Sequence, residues 1–220
     1  MKTLLLAATL ACLACLAAMS APAAAGNDGR NITSVNGSVE AAEGQTYETL
    51  STVNGSLRVG RGVTAEEAKT VNGRIVIEDE ARLGQASTVN GSLRVGEGAT
   101  ISRQASTVNG AISLEKRARV GGDVSTVSGA ISLEGAEIGG SIITRNGNIE
   151  LSDGAHVRGD IRVKKKNDSG WTWGEDKPLE VRICSTCVVD GELRFDRPVV
   201  LHVEDGAKIG KVYGDAVTRR

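Results

Sequence analysis

Large side chains are scarce in this sequence: 220 residues include two Trp, two Tyr and one Phe, with only three Pro. An ordinary globular core relies heavily on aromatic surface, so this interior must be built from Val, Ile, Leu, Ala and Thr. Side chains of that size fill space when they are stacked in regular order. Excess charge is missing as well. A formal net charge of -1 gives no bulk attraction to nucleic acid or to an anionic membrane. Histidine occurs only at His156 and His202. Neither lies near a nucleophile signature such as G-x-S-x-G, and no phosphate-binding loop is present. Beyond residue 25, no stretch keeps apolar residues at helical spacing for three turns.

The first 25 residues stand apart. Met1-Lys2 is followed by the apolar run "LLLAATLACLACLAAM" and by "APAAA" before Gly26. That is the layout of a secretory signal peptide cut after Ala25. It predicts an exported chain, periplasmic or at the cell surface, with residues 26–220 as one domain. A retained membrane anchor is the competing reading, disfavoured because the run is short for a spanning helix. Lipoprotein cleavage before Cys12 or Cys15 would place Thr9 or Cys12 where a bulky aliphatic residue is expected, which is a poor match.

What the chain has in abundance is repetition. "SVNGSV" at Asn36 is followed by "TVNGSL" at Asn54, "TVNGRI" at Asn72, "TVNGSL" at Asn90 and "TVNGAI" at Asn109. "TVSGAI" at Ser128 and "TRNGNI" at Asn146 complete the series, so the numbering advances by 18, 18, 18, 19, 19 and 18. Within each period, apolar and polar residues alternate over two to four positions and are punctuated by Gly, which is strand chemistry. Three short strands and three corners in each such period predict an all-β chain. It is a single-domain, three-sided, right-handed β-helix, or β-solenoid, of eight or nine coils. At about 4.8 Å per coil the rod is about 40 Å long. The Asn-Gly pair is read as a sharp turn, because Asn tolerates positive φ and Gly has no Cβ. Stacked corners would let Asn36, Asn54, Asn72, Asn90, Asn109, Ser128 and Asn146 form a hydrogen-bonded side-chain ladder. The N-G-S glycosylation pattern at Asn36, Asn54 and Asn90 falls out of the repeat itself.

The rhythm stops after Val163. "KKKNDSGWTWGEDKP", residues 164–178, carries charge, Gly, Pro and both Trp before "LEVRI" restarts the alternation. It predicts a loop inserted into the solenoid. Lys164, Lys165 and Lys166 beside Trp171 and Trp173 combine cations and rings as sugar or polyanion grips do; a solvated loop covering a solenoid face is the plainer reading. Cys184 and Cys187, in "ICSTC", are a candidate disulfide. Extended backbone would hold their Cα atoms about 10 Å apart, so a bridge requires a corner at Ser185-Thr186. His202 lies one regular period beyond Cys184 and is predicted to stack on it, but a structural zinc needs four ligands and no fourth is apparent. The acidic run Glu78-Asp79-Glu80 falls at a coil corner, where charge normally means a solvated edge rather than glycosidase carboxylates. No catalytic residue, metal site or cofactor is expected.

The phrasing G-x-I-x-L and G-A-x-V-x-G-D-I, over residues 33–161 and more weakly 188–212, resembles the bactofilin family of bacterial polymer-forming proteins. It is also similar to an adhesin-type family of exported bacterial proteins built on tandem Gly-rich β repeats. The resemblance implies a stacked β-helix and, for bactofilins, end-to-end association without nucleotide. Bactofilins act inside the cell, whereas an export signal, an insertion and a Cys pair depart from that pattern here. The expected function is a non-enzymatic, self-associating structural solenoid of the bacterial envelope. An adhesin or envelope-polysaccharide binder using the Lys164–Trp173 loop is the alternative, and a polysaccharide lyase or hydrolase ranks third. The expected partner is another copy of the chain, with no nucleic acid.

Overall fold

Short alternating segments punctuated by Gly leave the backbone one way to satisfy its hydrogen bonds, which is to pair each strand with the same strand of the next repeat. The computed structural model describes residues 31–165 and 178–219, and side-chain surroundings as far as residue 214. These residues form 24 strands and no helix. Strand pairings are parallel and fall into three ladders. The first runs from Asn31–Asn36 through Thr46–Asn54, Thr64–Asn72 and Arg82–Asn90 to Val212–Arg219. The second starts at Val39–Ala41, and the third at the beginning of Thr46–Asn54, which bends around one corner. The chain is thus a three-sided β-solenoid of about nine turns. Its coils occupy residues 31–47, 49–65, 67–83, 85–101, 105–120, 124–138, 142–157, 161–189 and 193–209.

The registers show why this composition suffices. Leu57, Ile75, Leu93, Ile112, Ile131, Ile149, Val181 and Leu201 stack as one continuous buried row. A facing row begins with Leu50, narrows to Ala68, Ala86 and Ala105, and widens to Val124, Ile142 and Ile161. Each buried Leu or Ile contributes about 1.5–3 kcal/mol. Stacking like on like lets these side chains pack without rings. The single Phe, Phe195, is buried in the ninth coil.

The Asn-Gly corners join the first face to the second, and three interactions recur there. The N–H of Gly37, Gly55, Gly73, Gly91 and Gly110 donates to the carbonyl of the corner residue one coil on, at 2.8–3.0 Å. Thr52, Thr70, Thr88, Thr107 and Thr126 point inward and donate their hydroxyls to the carbonyls of those same glycines, at 3.0–3.2 Å. Outside, Asn54, Asn72, Asn90 and Asn109 each donate a side-chain amide to the Asn of the preceding coil, at 2.9–3.1 Å.

Two expectations need correction. No described Asn has positive φ; among non-glycine residues only Glu80, Arg117 and Asp153 do. The Asn residues through Asn109 end strands in extended conformation. Gly is required because an added Cβ at Gly55, Gly73, Gly91, Gly110, Gly129 or Gly147 would overlap the carbonyl oxygen of the corner glycine one coil back. The side-chain ladder is also shorter than the column of seven. Its amide bonds end at Asn109, and Ser128 is joined to Asn146 through a backbone bridge. Ser128 brings no side-chain amide, so an amide-to-amide rung has no partner there.

Gly91→Ala is expected to destabilise the chain by about 3 kcal/mol through that overlap. Asn90→Ala, which removes only exposed amide bonds, should cost about 1 kcal/mol. Urea unfolding followed by circular dichroism measures both; equal losses would refute the close-approach role.

Candidate functional site

The repeat breaks at the first corner of the eighth coil, where residues 164–178 stand in place of an Asn-Gly pair, and the ninth coil has Phe195-Asp196-Arg197-Pro198 at the same corner. Lys164 N–H still donates to Thr144 O at 2.8 Å, so the chain leaves from a regular strand. It rejoins at Leu179–Ile183, where Glu180 N–H donates to Asn148 Oδ1 at 3.0 Å. Lys164 is half-buried and Lys165 exposed; Lys166, Trp171 and Trp173 lie outside the described residues. Arg197 of the ninth coil is 6% exposed and sends Nη1 to the carbonyl of Arg145 in the seventh, at 3.0 Å. It thereby reaches past the level at which the eighth coil gives up its corner. The inward Thr row ends here: Val163 and Phe195 follow Thr144, whose buried hydroxyl has no partner among the described residues.

Outward from the break, Arg162, Arg194 and Tyr213 are aligned on successive coils. Arg194 lies over the Tyr213 ring, 5.4 Å from its centroid. Each arginine is paired within its own strand region, Arg162 with Asp160 at 2.5 Å and Arg194 with Glu192. The Glu192 N–H, then the Arg162 guanidinium, hold the Asp160 carboxyl below its usual range. A similar pair occurs on the same face at Lys69 and Glu67, 2.9 Å apart. Burial pushes Glu67 up, but hydrogen bonds from Lys69 and Gln85 and the charges of Lys69 and Arg103 outweigh it and lower the net value.

Cys184 and Cys187 are bridged, with Cα atoms 5.1 Å apart. Ser185-Thr186 forms the turn that the bridge requires, and Cys187 N–H donates to Cys184 O at 3.0 Å. The same i+3 to i bond closes this corner in other coils, from Val63 to Gly60, Ala99 to Gly96, Ala118 to Glu115 and Ala155 to Ser152. The corner is therefore built without sulfur elsewhere, and buried Cys187 takes the position of Val63 or Ala99. His202 does not stack on Cys184. The second-face register between eighth and ninth coils places it on Arg182, because the step there is longer than the regular period.

The acidic run belongs to the same corner column. Glu78 pairs with Arg58 at 2.9 Å and Asp79 with Arg61 at 3.1 Å, while Glu80 stands 4.0 Å from Arg117. Asp79 also accepts the Glu97 N–H at 3.0 Å. These carboxylates tie coils together. A groove of about 420 Å³ runs beside them on the second face, lined by Arg74, Val76, Glu78, Arg94 and Glu115 among others. His156 is hydrogen-bonded to Asp190 at 2.8 Å on the third face. Among the described residues, no group of three or more His, Cys, Asp or Glu could hold a metal ion.

The rod's ends differ from its middle. Among the described residues, Asn31–Asn36 and Val39–Ala41 have one strand neighbour each, as does Val212–Arg219. Among described residues the exposed large apolar side chains are Val35, Val212 and Tyr213, all in the first coil or past the ninth. Val212 continues the inward row after Leu193, yet it is 38% exposed because no described coil stacks on it. No repeat signal marks such residues; position in the stack makes them unusual.

No family model, curated protein or solved structure matches the chain.

Removing the bridge with Cys184→Ser and Cys187→Ala is expected to leave the β circular-dichroism spectrum unchanged. The loss should stay below about 2 kcal/mol, the loop-entropy figure for so short a closure. Collapse of the spectrum would show that the corner depends on sulfur.

Proposed function

We propose that this chain is a non-enzymatic structural solenoid that self-associates through its ends. What supports the reading above all is the inward row at Val212, on which no described coil stacks. An open strand edge templates further pairing, and an uncovered apolar row favours anything that stacks on it. Val35 exposes further apolar surface at the opposite end. The resemblance of the repeat phrasing to bactofilins and adhesin-type proteins points the same way. Export to the bacterial envelope is part of the proposal, because the amino-terminal 25 residues are laid out as a signal peptide and the Cys184–Cys187 bridge suits an oxidising compartment.

Light scattering across about a hundredfold range of concentration should show growing mass, with electron microscopy resolving linear particles. Val212→Lys should weaken association at least about tenfold while preserving the β spectrum. A monomer throughout that range overturns the proposal.

A second reading is a binding module for an anionic envelope polysaccharide. The column of Arg162, Arg194 and Tyr213 beside Lys164 favours it, since cations with a stacking ring suit an acidic sugar chain. Deleting residues 164–178 should abolish retention on an acidic-polysaccharide column without loss of β signal. Unchanged retention would remove the loop from the account.

A further inference from the structure

One outward column of the first face departs from its own pattern in the third coil. Thr33, Ser51, Ser87, Ser106 and Ser125 are small hydroxyls in register, and Lys69 stands among them between Ser51 and Ser87. The neighbouring column changes at the same level: Glu67 follows Thr49, and Gln85 of the fourth coil is aligned on Glu67. These departures meet. Lys69 Nζ lies 2.9 Å from Glu67 Oε2, and Gln85 Nε2 donates to Glu67 Oε1 at 2.8 Å.

One carboxylate thus holds an amine and a carboxamide side by side, with an oxygen for each. The side chains of Lys69 and Glu67 are only 21% and 26% exposed, and Gln85 is half-buried, so the group is largely screened from solvent. Two other ion pairs on this face, Arg162 with Asp160 and Arg194 with Glu192, use guanidinium groups, which stay protonated in proteins. Lys69 differs, because an amine becomes a nucleophile on giving one proton to an adjacent base.

We propose that Lys69 and Gln85 join in an intramolecular isopeptide bond, with Glu67 as the group that moves the protons. Glu67 accepts a proton from the Lys69 ammonium, and the freed amine attacks Gln85 Cδ. A C–N bond forms, and the bond from Cδ to Nε2 breaks as Glu67 delivers its proton to Nε2. A second proton leaves the attacking nitrogen by the same route and is carried off with the ammonia as ammonium. One ammonium group and one carboxamide become one substituted amide and one ammonium ion, so charge is conserved and nothing is oxidised. The fold takes the place of an enzyme by holding nucleophile, carbonyl and base together. The product is a covalent rung between the third and fourth coils, at a level that strand pairing and the Asn72–Asn90 amide bond otherwise hold.

The test is mass spectrometry of the purified chain held in mildly alkaline buffer. The intact mass is expected to fall by one ammonia, and peptide mapping should recover the Lys69 and Gln85 peptides joined through their side chains. Glu67→Gln keeps the shape and removes the proton carrier, so the joined peptide should form at least about a hundredfold more slowly, the low end of what general acid–base catalysis supplies. Lys69→Arg should abolish it, with the β circular-dichroism spectrum unchanged. The wild-type chain in denaturant should form none, because only the stacked coils bring the groups together. The proposal is overturned if the folded wild-type chain never yields the joined peptide, or if the ammonia is lost at an Asn-Gly pair instead. It is equally overturned if Glu67→Gln or the denatured chain forms the bond as fast as the folded wild type.

Discussion

The regularity of the rod rests on the stacking of one Asn-Gly corner on the next. Corner glycines lie so near the glycine carbonyl one coil back that a Cβ does not fit. This approach fixes the height of each coil, and with it the register of all three ladders. It brings the Asn side chains within reach of one another outside and the Thr hydroxyls within reach of the glycine carbonyls inside. With the register set, Leu, Ile, Val and Ala stack on their own kind, and aromatic bulk becomes unnecessary. A slip of one residue would turn the Thr row outward and the Val row inward.

This explains which parts of the fold were legible. The period, the three short strands and the stacking follow from where Gly and Asn recur, because a steric requirement repeats as strictly as the geometry does. The reason for the Asn-Gly pair was not legible. Turn chemistry and close approach both select glycine, and only the stacked backbones distinguish them. The misplacement of His202 depends on register. A constant period places His202 over Cys184, but the step across the second face is longer there. Periodicity read from one face does not carry across an insertion.

The candidate sites were less legible for a related reason. Repeat residues are committed to the architecture, so charge and polarity within the repeat resolve into ties between coils. Glu78 and Asp79 are bound to Arg58 and Arg61, and Asp160 is held by the Glu192 N–H and Arg162. Features that bear on association arise from position in the stack. Val212 is an ordinary inward residue by pattern, and only the absence of a further described coil leaves it 38% exposed.

The eighth coil shows what an interruption demands. Its first corner has no Asn-Gly pair, after the amide rungs have stopped at Asn109 and the Thr hydroxyl bonds at Thr126. Three interactions cluster around it: Arg197 to the Arg145 carbonyl, Asn148 Oδ1 to the Glu180 N–H, and the Cys184–Cys187 bridge at the next corner. The first reaches from the coil after, the second from the coil before, and the third fixes the coil itself where it next turns. Arg197 satisfies a carbonyl from two coils away, which a long cationic side chain can do and a backbone amide cannot. The device that makes the rod regular works only where the next coil repeats it.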